Sequence, residues 1–333
     1  MDILKITTVE MHTAGEPLRI VTSGLPVIAG NTILEKIRYL RENHDDIRKL
    51  IMLEPRGHSD MFGVYLIDAD IPGAEFGCIF IHNEGYSTMC GHAVISLGRY
   101  AIDYGIIQQP TSPETRVLMQ CPCGPVEAFV EYKDGRTGNV RFKSVPSFLY
   151  MKDVSVELPD IGEVFVDICY GGAFYAFIED YKLGMSLKTS SVKDLTNGAA
   201  MITESLKKSL KLTHPDSSDL AFLYGTIIVN SLEEDEMATL CVFADRQVDR
   251  SPCGSGCSAR MAQLFSKGLV KINEARTIRG AVGSKFVARV VEQTKYGHHD
   301  AVIVEVSGKG HYLGKSVFTN EDDDVIGKGF LLR

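Results

Sequence analysis

No stretch of this chain approaches the roughly 18 consecutive apolar residues that a membrane-crossing helix requires. The opening Met1-Asp2-Ile3-Leu4-Lys5 lacks the charged segment and apolar run of a secretion signal. Concentrated positive charge is missing too. The net charge is −8 with acidic and basic residues mixed throughout, which argues against nucleic acid as a main partner, because phosphate binding needs a basic surface. Eight cysteines in 333 residues are too few for a disulfide scaffold, so reduced thiols in a cytoplasmic compartment are expected. There is no low-complexity segment and no long linker. What remains is an ordinary soluble composition, 44% hydrophobic and 23% charged, in a chain long enough for about two domains.

Short β-branched and aromatic runs bounded by Gly, Pro or Asp predict strands at 1–9, 62–69, 76–82, 114–120 and 124–132. A second series is predicted at 138–144, 163–178, 220–230, 236–244, 284–293 and 300–307. Two helices stand between them. One follows Asn31 with Ile33, Ile37 and Leu40 on a face; the other starts near Asn197 with Ala199, Ile202, Leu206 and Leu210 at helical spacing. The pattern is mixed α/β, of the α+β type, with many antiparallel hairpins.

Two further segments resemble each other. Cys90-Gly91 opens an apolar run closed by Gly105, and Cys253-Gly254 opens a run through Ala259, Met261, Leu264 and Phe265 closed by Gly268. In each, a glycine stands fifteen residues after the cysteine, where a helix C-cap glycine belongs. The spacing predicts two similar halves, each presenting a cysteine at the start of a buried helix of about four turns.

A thiol at a helix N-terminus sits among unpaired N–H groups at the positive end of the helix dipole, which favours thiolate. Gly91, Gly254 and Gly256 keep side chains away, so a substrate carboxylate can approach those amides. Two such sites facing each other would clamp a small carboxylic acid with one sulfur on each face. That suits inversion at an α-carbon, where one group removes a proton and its opposite number delivers one. No metal or cofactor motif offers a substitute, and no cofactor or metal is expected.

Competing readings are structural. Most cysteines are small core hydrophobes. Cys121-Pro122-Cys123 lacks the two to four intervening residues of a zinc pair, and Cys90-Gly91-His92 has no partner cluster. Cys257 is read as helix packing, or as a trap for an oxidised Cys253. His298-His299-Asp300 is read as a solvated loop. Gly171-Gly172-Ala173-Phe174 lacks the Lys-Ser/Thr of a phosphate loop and is read as a close-packed strand.

The segments Met11-His12-Thr13-Ala14-Gly15-Glu16-Pro17, Glu54-Pro55-Arg56-Gly57-His58, Asp60-Met61-Phe62-Gly63, Met89-Cys90-Gly91-His92 and Asp249-Arg250-Ser251-Pro252-Cys253-Gly254-Ser255-Gly256 resemble the proline racemase family. The resemblance covers essentially the whole chain. It implies the fold of diaminopimelate epimerase: two pseudo-symmetric α/β domains, each a curved sheet around a central helix, with the ligand in the cleft between. The domains would comprise 1–146 plus 316–333, and 147–315. The family works without pyridoxal phosphate or metal, and a homodimer is implied.

On this resemblance Cys90 and Cys253 fall on the two catalytic thiol positions, and His92 and Asp249 near the substrate's amino nitrogen. Gly91, Gly254 and Ser255 fall where backbone amides meet the carboxylate, with Ala93 also counted as substrate-binding, while Phe62 and Phe243 line the ring. Alone, Asp249 would be read as a helix-preceding cap and either Phe as core. Within the family, proline racemases and 4-hydroxyproline epimerases carry Cys at both catalytic positions, whereas trans-3-hydroxy-L-proline dehydratases carry Thr at the second. The run Asp216-Ser217-Ser218-Asp219-Leu220-Ala221-Phe222-Leu223-Tyr224-Gly225-Thr226 looks more like the dehydratase branch. Cys253 is given the greater weight, so racemisation of proline is the expected activity, with epimerisation of 4-hydroxyproline plausible beside it. The alternatives are a dedicated 4-hydroxyproline epimerase, a trans-3-hydroxy-L-proline dehydratase and a non-catalytic proline-binding protein. A thiol-dependent hydrolase finds no assignable His-Asp relay.

Overall fold

The computed structural model describes residues 4–159, 161–230 and 236–332. These fall into two compact units, one of residues 4–140 with 309–332 and one of Arg141–Gly308. The divisions lie a few residues ahead of the 146/147 and 315/316 boundaries read from sequence. Among the described residues no helix is long and apolar enough to cross a membrane.

In the first unit the strands are β1 (Leu4–Thr13), β2 (Glu16–Ser23), β3 (Phe62–Ile67), β4 (Phe76–His82), β5 (Tyr86–Ser87), β6 (Glu114–Cys121) and β7 (Gly124–Lys133). Strand β8 (Arg136–Lys143) runs through the division at Val140. The second unit holds β9 (Phe148–Leu158), β10 (Gly162–Tyr170), β11 (Phe174–Glu179), β12 (Leu223–Asn230), β13 (Glu236–Phe243), β14 (Gln247–Val248), β15 (Ala275–Arg279), β16 (Lys285–Tyr296) and β17 (His299–Gly308). Strand β18 (Gly310–Asn320) returns to the first unit and pairs antiparallel with β1.

The two pairing patterns match over seven strands, and the second unit adds β17 at its end. In the first unit β18, β1, β2, β3, β4, β6 and β7 lie in that order, with β2–β3 and β4–β6 parallel and β5 a short hairpin partner of β4. In the second, β9, β10, β11, β12, β13, β15, β16 and β17 repeat it, with β11–β12 and β13–β15 parallel and β14 hairpinned onto β13. Parallel neighbours need a crossover. Helices α1 (Ile33–Asn43) and α2 (Asp45–Met52) supply it between β2 and β3, and α4 (Val192–Ser209) between β11 and β12.

Between β5 and β6 runs α3 (Gly91–Asp103), and between β14 and β15 runs α5 (Gly254–Ser266), each of 13 residues. Helix α3 touches β18, β1 and β2 near one end of its sheet and β6 and β7 at the other. Seven strands laid flat would span about 29 Å, whereas a helix is only about 10 Å across. The sheet must therefore curl around α3. The same holds for α5, which touches β9, β10 and β11 as well as β16 and β17. Every residue of α5 from Gly254 to Leu264 is buried, as is α3 from Gly91 to Ile102 apart from Arg99. Both helices end as expected, on Gly105 and Gly268 at φ of 72° and 71°.

Several elements differ from the sequence reading. The strand expected at 1–9 extends to Thr13, its first three residues lying outside those described, and β2 is additional. The run 163–178 is two strands, broken at Gly171-Gly172. The second predicted helix starts at Val192, capped by the Ser191 hydroxyl on the Asp194 N–H, and stops at Ser209 before Leu210. Helix α1 is where expected, closed by a Thr32–Glu35 capping box. Its Ile33, Ile37 and Leu40 join Ile47, Leu50 and Ile51 of α2 in a core against Tyr65, Ile79 and Ile81. The mixed α/β reading with pseudo-symmetric halves holds.

Candidate active site

Both cysteines singled out from sequence are N-caps of the central helices, Cys90 for α3 and Cys253 for α5. The usual capping residues are Ser, Thr, Asp and Asn, whose oxygen satisfies a first-turn amide. Neither cysteine side chain makes that bond. The earliest intrahelical bonds run from Val94 N to Cys90 O and from Cys257 N to Cys253 O. The N–H groups of Gly91, His92 and Ala93, and of Gly254, Ser255 and Gly256, therefore precede the helical ladder and are available to an anion.

In the first unit the Cys90 sulfur lies 3.2 Å from His92 Nδ1. His92 Nε2 is 3.2 Å from the Pro17 carbonyl, which only accepts, so the ring hydrogen belongs on Nε2 and Nδ1 is left as an acceptor. Burial pushes the His92 imidazolium down to about 3, partly offset by the Pro17 bond, so the ring is neutral. Phe62, buried at the start of β3, meets it edge-on at 4.9 Å. Below them Thr13 donates to the His92 carbonyl at 2.8 Å. The His12–Pro17 hairpin thus orients the imidazole beside the thiol.

In the second unit Cys253 has φ of +64°, a conformation that residues with a Cβ seldom adopt. The turn is held by Asp249, which accepts from Ser251 N at 2.8 Å, and by Ser251, whose hydroxyl accepts from Cys253 N at 3.1 Å. Burial raises the Asp249 carboxyl to about 6, while hydrogen bonds from Ser251 and from the Cys253 thiol, and the nearby Arg250, pull it back down. Asp249 is thus part of the turn that precedes α5 and also an acceptor at the cysteine. Phe243 ends β13 and stacks on Tyr224 at 5.3 Å. Sequence reasoning missed Tyr175: its hydroxyl is 3.7 Å from the Cys253 sulfur and 2.8 Å from Ser255 Oγ. A lone tyrosine in a strand carries no signal of such a role.

The remaining thiols are placed differently. Cys121 hydrogen-bonds Cys78, and that bond with burial holds its thiol well above the usual range. Burial does the same for Cys123, Cys169 and Cys257. Cys257 donates to the Pro252 carbonyl at 3.3 Å, as a packing residue does. Gly171 is in close contact with α5: a Cβ there would lie 2.3 Å from Ser255 O, so this glycine pair serves packing. His298 and Asp300 are exposed as expected, whereas His299, partly buried at the start of β17, stacks on Phe148 at 4.2 Å.

The proline racemase family model matches residues 8–331. The chain is 52% identical over 332 residues to a trans-L-3-hydroxyproline dehydratase of Xenopus tropicalis, covering 98% of this chain and 95% of that one. It is 49% identical to the trans-3-hydroxy-L-proline dehydratase of Homo sapiens, with the same coverage. A hydroxyproline epimerase of Agrobacterium vitis, solved with bound trans-4-hydroxy-L-proline, superposes with a TM-score of 0.93 at 26% identity, covering 99% of this chain and 96% of that one. These findings overturn the expectation of a proline racemase, since relatives near half identity along the whole chain are named dehydratases. That expectation let one side chain, Cys253, outweigh the rest of the sequence. A second thiol is necessary for inversion, but it does not prevent dehydration. The chain is an enzyme acting on a small molecule, and it belongs to the proline racemase family, whose members are isomerases and lyases.

Proposed function

We propose that the chain dehydrates trans-3-hydroxy-L-proline, with Cys90 as the base. The observation that carries this reading is the full-length likeness, near 50% identity, to dehydratases named for that substrate. The chemistry is compatible with the residues. In this substrate the α-hydrogen and the 3-hydroxyl both stand opposite the carboxylate, so they share one ring face. A thiolate on that face takes the α-proton. The electron pair left on the α-carbon becomes the double bond to C3 as the C3–O bond breaks, and the proton on sulfur leaves with the hydroxide as water. Thiolate is regenerated, and the cyclic enamine tautomerises to the ring imine, 1-pyrroline-2-carboxylate.

Charge developing toward the carboxylate is met by preorganised N–H donors, for which we assign Gly91, His92 and Ala93 at α3 and Gly254 and Ser255 at α5. From the family likeness we assign His92 Nδ1 and Asp249 as acceptors for the ring nitrogen. Phe62 and Phe243 cover the ring. Cys253 then acts as a hydrogen-bonding group rather than as an obligatory second acid. All eight cysteines are free, which suits a reducing cytoplasmic setting.

Incubation with trans-3-hydroxy-L-proline, followed by NMR, is expected to give 1-pyrroline-2-carboxylate. Faster conversion of L-proline to D-proline, or of trans-4-hydroxy-L-proline to its epimer, overturns the reading.

A further inference from the structure

A cavity of about 320 Å³ opens in the second unit, between the loop leading into α4, strand β13 and the turn that joins β15 to β16. The dehydration scheme makes no use of it. Leu187, Leu195, Ala238 and Leu240 give it apolar walls, and Arg279 and Ser190 give it polar ones. Arg279, half-buried at the end of β15, has no partner for its guanidinium among the described residues, whereas Arg276 on the same strand pairs with Glu274 at 2.5 Å. Ser190 Oγ accepts from Ser186 N at 3.0 Å, which leaves its own hydrogen for another acceptor. A guanidinium drawn out of water without a counter-charge is costly, so this wall favours an anion.

We propose that the cavity binds a small organic anion, a carboxylate on a short apolar body, and that the occupant stiffens the turn carrying Cys253. A carboxylate matches the planar guanidinium fork and the Ser190 hydroxyl, and the leucines cover the body. The coupling follows from how thin the wall is. Successive residues of a strand point to opposite faces. Between Ala238 and Leu240, Thr239 donates to the Pro252 carbonyl at 3.3 Å and to the Arg279 carbonyl at 3.5 Å. Gly280 packs on the same turn so closely that a Cβ there would lie 2.5 Å from Ser251 C and 2.6 Å from Pro252 N. One hydroxyl and one glycine thus tie the arginine that would hold the anion to the residues just before Cys253. Fixing Arg279 from the cavity side holds the end of β15 against that turn.

The test needs no turnover, so it fails separately from the dehydratase reading. The probe is 4-methylpentanoate, with 4-methylpentanamide and inorganic phosphate as controls. Titration calorimetry is expected to give a Kd of about 1 mM or tighter for the carboxylate, and binding weaker by about tenfold or more for each control. Arg279→Met keeps an apolar stem and removes the charge, and it should weaken the carboxylate by about tenfold or more. Hydrogen exchange, read by mass spectrometry on the peptide carrying Asp249 to Gly256, should slow by about twofold or more when the probe binds the parent. Should Arg279→Met fail to fold, Ala238→Leu decides, since it fills the cavity and leaves the arginine, and it should abolish binding. Absence of carboxylate binding, or binding that survives these substitutions, overturns the site. Phosphate binding as tight as the carboxylate overturns the ligand class, and binding without slower exchange overturns the coupling.

Discussion

Gly256 stands where any side chain would collide with Cys253: a Cβ on it would lie 2.9 Å from the cysteine sulfur and 2.5 Å from Ile227 Cδ1. The second glycine of the Gly-Ser-Gly start of α5 therefore has a steric cause. The first turn leaves room for a sulfur atom that the backbone turns into it.

Gly256→Ala is accordingly expected to destabilise the protein by about 1–3 kcal/mol, since overpacking forces neighbours off their preferred positions. Urea unfolding measures it. A midpoint within experimental error of the parent would mean that Ile227 and the sulfur move aside freely.

Cys90→Ser should lower dehydration of trans-3-hydroxy-L-proline by about a thousandfold or more, because a hydroxyl is a far weaker acid than a thiol and seldom supplies the anionic base. Cys253→Thr should retain the activity within about tenfold, since a proton carrier on one face suffices. Steady-state rates on both variants separate the roles. Loss of comparable size in Cys253→Thr contradicts the one-carrier scheme.

The stereochemistry gives an independent check. In cis-3-hydroxy-L-proline the hydroxyl is on the carboxylate side, away from the α-hydrogen, so the thiol that takes the proton cannot hand it to the leaving group. Its turnover should be slower by about a hundredfold or more, the usual worth of general acid assistance. Equal rates for the two isomers would exclude the proton return.

Stability should fall on mild acidification. Burial depresses His82 and His92 to about 3, from the ordinary 6.5, with Arg48 adding to the effect at His82. Below pH 6.5 the unfolded chain takes up protons that the folded one refuses, so each contributes a loss of about 2 kcal/mol by pH 5. Asp249, raised to about 6, acts in the opposite sense: the fold binds its proton more tightly, and its contribution is lost as pH rises from 3.8 through 6. The melting temperature is expected to drop between pH 7 and 5, with a shallower drop in His82→Asn and a steeper one in Asp249→Asn. A slope unchanged in both variants refutes the assignment.

Much of this molecule is legible in its sequence because the signals are local. The helical spacing of Ile33, Ile37 and Leu40 and the two cysteine-to-glycine intervals each act within one helix, whereas the Ser191 cap, ahead of the start expected near Asn197, goes unread there. Cys90 and Cys253 are found in this way. Strands β2 and β18 escape it: β2 begins Glu16-Pro17 inside a motif read for its family likeness, and β18 is exposed at Leu313 and Val317, so neither offers a conventional buried alternation.

The activity shows the limit of reading one position. Cys253 is a local fact, but which reaction runs depends on the pocket as a whole, and the likeness of the entire chain outweighed it. Sequence alone determined the buried strands with a clear pattern, the repeat and the thiols at the helix starts, because hydrogen bonds and periodicity along the chain encode them, whereas α2, β2, β9, β15 and β18 emerged only in the structure. Only the tertiary structure decided the partners of those thiols. The Pro17 carbonyl that fixes the His92 hydrogen is 75 residues away from it, and Tyr175 is 78 residues from Cys253. Contacts across such separations arise from how each sheet closes around its helix, which no local pattern records.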